Sequence, residues 1–128
     1  MLLNVQTSPG EFLDKLTILE IKAERITDPA KLANVRRELE LMRATWAASP
    51  LAGRDVSRLV ARLRTVNEAL WVTEDRIRTH EAEGRFDEEF VALARSVYRD
   101  NDRRAAIKRE LNLLLGSDIL EEKSYPGY

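Results

Sequence analysis

An aspartate and an arginine interrupt an apolar helical seam in the last third of the chain, and they are the first candidates for chemistry. Phe90, Leu93 and Val97 recur at three- and four-residue steps. The same rhythm then lands on Asp100 and Arg104 before returning to Ile107, Leu111 and Leu114, with Asn101 and Lys108 flanking the stripe. A second helical seam, Val56, Leu59, Leu63, Val66, Leu70, Thr73 and Ile77, precedes it, and the link Gly84–Phe86 is too short for anything but an antiparallel return. Positions whose numbers add to about 170 then face each other, which sets Asp100 opposite Leu70 and Arg104 opposite Val66. Asn67, Trp71, Glu74 and Arg78 line up beside that contact. The eight residues Asn67, Trp71, Glu74, Arg78, Asp100, Asn101, Arg104 and Lys108 therefore make one candidate polar site between two long helices.

Such a site has two readings. In the plainer one, Asp100 and Arg104 are an i,i+4 ion pair, worth about 0.3–0.5 kcal/mol when exposed, or a polar device that fixes register. In the sharper one, Arg104, Lys108 and Arg78 hold a small anionic ligand, because guanidinium groups suit bidentate contact with carboxylate or phosphate. The first helix supplies Asp14, Lys15, Glu20, Lys22 and Arg25. Asp14, Ile18, Ile21 and Arg25 share a face that could reach the site, although solvated flanks are the simpler expectation for these charges.

Most other chemistry is missing. There is no cysteine, which removes disulfides, thiolate metal sites and thiol nucleophiles. The single histidine, His80, sits between acids near the end of a helix and reads as a surface residue. No metal site, cofactor, glycine-rich phosphate loop or nucleophile elbow is expected. The chain reads as a binder sooner than an enzyme. Sixteen of the 21 cations are arginine, but 22 acids are interspersed with them and the net charge is -1, which argues against nucleic acid.

The elements that must position the candidate site follow from the same spacing. The 128 residues, 44% hydrophobic and 34% charged, fit one domain spanning 1–128. The expected fold is all-α, an antiparallel bundle of about four helices. Ser8-Pro9-Gly10-Glu11 starts the first as a capping box, and Asp28-Pro29 starts the second. The two long helices cover about 56–83 and 88–115, with Asp55 and Asp87 as caps. A short extended segment precedes the first helix, and a tail packs on the body after Gly116. Pairing of Ile119–Lys123 with Leu2–Gln6 as a ribbon is one option. No apolar run approaches the ~20 residues of a membrane span, and Met1 to Gln6 lack a leader's basic region, so the default location is cytoplasmic. The narrow stripe Leu32, Val35, Leu39, Met42 and Trp46, with Trp71 on the third helix, favours a homodimer or a protein partner.

Three blocks carry a resemblance: SPGEFLDKLTILEIKAERI at 8–26, FDEEFVALARSVYRDNDRRAAIKRELN at 86–112 and GSDILEEKSYPGY at 116–128. The chain resembles a family of small, uncharacterised helical proteins of bacteria and phages. That likeness implies that the tail belongs to the domain, and it brings no catalytic residue. All-helical mutases of the chorismate type are similar in architecture alone, with Arg25, Glu74, Arg104 and Lys108 as the matching ingredients.

Overall fold

The structure is a computed structural model describing residues 1–127, and its order is α1 (Pro9–Arg25), α2 (Pro29–Ala48), α3 (Ser57–Glu83) and α4 (Glu88–Leu114). The described residues contain no strand. Side-chain caps set three of the starts. Ser8 Oγ accepts the Glu11 amide at 3.1 Å, Asp28 accepts that of Lys31 at 2.9 Å, and Asp87 accepts that of Phe90 at 3.0 Å. The capping box at Ser8 is only half made, because the Glu11 carboxylate turns to Lys108, 2.6 Å away. The fourth start differs from expectation. Val56 takes the cap position of α3 without a side-chain bond, while Asp55 accepts both the amide (3.1 Å) and the hydroxyl (2.7 Å) of Ser57.

Gly84 reverses the chain between α3 and α4. Its φ of +67° lies in the left-handed region, and the Arg85 amide closes onto the His80 carbonyl at 2.9 Å. The two 27-residue helices then run back along each other for about 40 Å. Arg62–Glu110 (2.9 Å) and Arg76–Glu89 join them near both ends, in the antiparallel register.

α1 is the hub. It touches α2, α3 and α4, whereas α2 touches α1 alone among the helices. Leu13 meets Leu59, Leu63, Ile107, Leu111 and Leu115 in a core that lies where α3 begins and α4 ends. Each of these side chains contributes about 2 kcal/mol by leaving water. α1 has only 17 residues, so the hairpin outreaches it by about 15 Å. Of the α2 stripe only Leu39 is fully buried. Trp46 faces inward, stacked on Phe12 with ring centroids 5.9 Å apart, and so offers no free tryptophan seam.

One option for the terminal segments is not realised. The ribbon between Leu2–Gln6 and Ile119–Lys123 does not form. The tail is instead tied along α4 by Lys108–Glu121 (3.1 Å) and Arg109–Glu122 (3.2 Å). It leaves Ile119, Leu120 and Tyr125 exposed, so it is moored by charge and adds little to the core. Among the described residues no helix is long and apolar enough to cross a membrane.

Candidate functional site

Asp14 is the residue around which the polar interior is built. α1 carries it into the angle between α3 and α4, where it is 1% exposed. Its Oδ1 accepts the Asn67 amide at 2.9 Å and the Arg104 Nε–H at 2.8 Å, and its Oδ2 accepts the Arg104 Nη2–H. Thr17 donates to the Asp14 carbonyl at 2.7 Å, and its own oxygen accepts from Asn67 at 2.9 Å. Three helices thus meet at a bidentate ion pair with both flanks hydrogen-bonded. Among the described residues no buried side-chain nitrogen or oxygen lacks a partner. The hydrogen bonds to Asp14 hold the Arg104 guanidinium above its ordinary pKa, against the opposing effect of burial.

Asp100 and Arg104 are therefore not each other's partners. Arg104 goes to α1, and Asp100 accepts from Arg103 at 2.9 Å. The remaining predicted residues divide in the same way. Asn67, Trp71, Glu74 and Arg104 line a groove of about 280 Å³, together with Leu70 and Asp75 from α3 and Ile18, Ile21 and Lys22 from α1. Arg78 lies off this groove, 81% exposed, with Glu74 at 3.6 Å. Asn101 lines a separate space of about 650 Å³ between α4 and the tail, with Val97, Tyr98 and Tyr125. Arg25 is exposed and Lys108 is turned to the tail, so the mutase-like set is not assembled.

Lys108 illustrates how these cations are spent. Burial works against its charge, but hydrogen bonds from its ammonium to Glu11 and Glu121 outweigh that and raise its pKa above the usual 10.5. A pKa raised by folding gives stability that is fully present below the unfolded value and lost as pH rises through the folded one. Denaturation midpoints should therefore fall above about pH 10.5, and the fall should shrink in Lys108→Met. Equal alkaline losses in both proteins would remove this assignment.

Two positions depart from the simpler sequence reading. Solvated flanks were the simpler expectation for Asp14, yet it is buried, and of the α1 face that could reach the site it is Asp14 that does so. His80 was read as a surface residue, yet it is 4% exposed. Thr73, Ile77 and His80 continue the α3 rhythm, and that spacing was the available signal. The His80 ring lies on the hairpin contact, 6.3 Å from the Phe90 ring, with Asp87 and Glu89 beside it.

The chain belongs to a family of unknown function (DUF6165), whose model matches residues 3–127. No curated protein and no solved structure matches it.

Proposed function

We propose that the protein is a helical interaction module that self-associates through the groove between α1 and α3. The observation that carries this reading is the groove's lining. Ile18, Ile21, Leu70 and Trp71 form an apolar wall of the kind that receives one large side chain from a partner. The same geometry favours an interaction surface over an anion site. Arg104 is committed to Asp14, Lys108 to Glu11 and Glu121, and Arg78 stands outside. A second copy is the favoured occupant because the rim carries both signs. Lys22 on α1 and Asp75 on α3 face the groove from opposite sides, and neither has an ion-pair partner among the described residues. A two-fold contact would set Lys22 of each copy against Asp75 of the other.

Sedimentation over a wide dilution series tests it. The wild type should dimerise, and Trp71→Glu should weaken dimerisation at least about 30-fold with helical content unchanged. Lys22→Glu should also weaken it, and adding Asp75→Lys should restore it. A wild type that stays monomeric throughout would overturn self-association.

A further inference from the structure

The tip of the α3–α4 hairpin holds a second constellation that the interaction reading does not use. The His80 Nδ1 lies 2.9 Å from the Arg76 carbonyl, an atom that can only accept, so Nδ1 carries the proton. Nε2 takes the Arg85 Nη2–H at 3.1 Å and is therefore the ring's lone-pair atom. It lies 3.5 Å from Glu89 Oε2 and 3.8 Å from Asp87 Oδ1. All three donor atoms lie within 4.8 Å of one another. Two donors bound tetrahedrally to one zinc ion, each at about 2.1 Å, are about 3.4 Å apart. The observed spacing needs only small side-chain adjustments to reach this. A histidine oriented by a backbone carbonyl through its other nitrogen is also the usual supporting arrangement of a metal ligand.

We propose that His80, Asp87 and Glu89 form a divalent transition-metal site, suited to Zn²⁺ or Mn²⁺, that clips the tip of the hairpin. One imidazole and two carboxylates suit ions of this borderline class, and their charges sum to neutrality with a dication. The same position is now filled by a positive charge from the chain itself. Arg85 donates to His80 Nε2 at 3.1 Å and to Glu89 at 3.2 Å. It is half-exposed and also bonds Glu83 at 2.9 Å, so it has a carboxylate to keep when it swings out. Metal and Arg85 are thus competitors for one site.

That competition makes the proposal testable by a change in opposite directions. His80 is the only histidine, so imidazole ¹⁵N signals report on this residue alone. Titrating the full chain with Zn²⁺ should shift the Nε2 resonance while Nδ1–H persists, and raise the thermal midpoint. Glu89→Gln should weaken binding at least about tenfold. Arg85→Ala should strengthen it, because the cation on His80 Nε2 is gone while Arg76 keeps only the other oxygen of Glu89. Silence of the His80 resonances in both wild type and Arg85→Ala would overturn the site, as would equal Zn²⁺ affinity in Glu89→Gln and wild type.

Discussion

Arg104→Leu should lower the stability of this protein by about 3–5 kcal/mol, measured by urea denaturation. Among the described residues the change removes the only cation bonded to Asp14, and it leaves a carboxylate that is 1% exposed with the Asn67 amide as its main consolation. A stranded buried charge is among the costliest defects a core can hold. The loss is a large share of the 5–15 kcal/mol typical of such domains. The converse change, Asp14→Leu, should cost less, about 2 kcal/mol, because the Arg104 side chain is 28% exposed and lines the groove, where water can take over its hydrogen bonds. The pair Asp14→Leu with Arg104→Leu should recover most of the loss, since apolar residues of similar volume commonly replace buried ion pairs at little cost. The ion pair's contribution would then be to the seating of α1 on the hairpin more than to net stability. A single Arg104→Leu within about 0.5 kcal/mol of wild type would show that Asp14 is not enclosed as described.

The same pair explains what the sequence could and could not reveal. Helix limits were legible because their causes are local: Ser8, Asp28 and Asp87 bond amides three residues on, and Gly84 turns the chain within one residue. The antiparallel hairpin followed from the brevity of its link. The polar break at Asp100 and Arg104 was also visible, as a departure from a rhythm. Its partner was legible only as the less simple of two readings of the α1 charges. A helical repeat says which side chains share a face, but not which third helix covers that face, and Asp14 lies 90 positions from Arg104. The i,i+4 pairing failed for a related reason. Arg103, three residues along, satisfies Asp100 from the solvent side and frees Arg104 to turn inward. The candidate site was therefore half assembled, with Asn67, Trp71, Glu74 and Arg104 in one groove and the other four dispersed by partners on the tail, the neighbouring turn or in solvent.

Gly10→Ala should destabilise the protein by about 2–3 kcal/mol, although a helix-propensity scale predicts a gain of up to about 1 kcal/mol. Gly10 has no positive φ to explain it, and in the sequence it is an ordinary first-turn residue. Its role is proximity. A Cβ there would lie 2.4 Å from the Lys108 carbonyl oxygen and 2.8 Å from Asn112 Oδ1. The nearer atom is backbone inside α4, so it cannot rotate away, and α1 must lift instead. Lifting α1 also stretches the 2.7 Å bond from the Gly10 amide to the buried Asn112 side chain, worth about 1 kcal/mol, and separates Glu11 from Lys108. Gly53 is the matched control. An added Cβ there meets nothing within 4 Å, so Gly53→Ala should stay within about 0.5 kcal/mol of wild type. The comparison isolates contact from composition, since both variants make the same chemical change. If Gly10→Ala were as silent as Gly53→Ala, the close seating of α1 on α4 would be wrong, and with it the depth at which Asp14 meets Arg104.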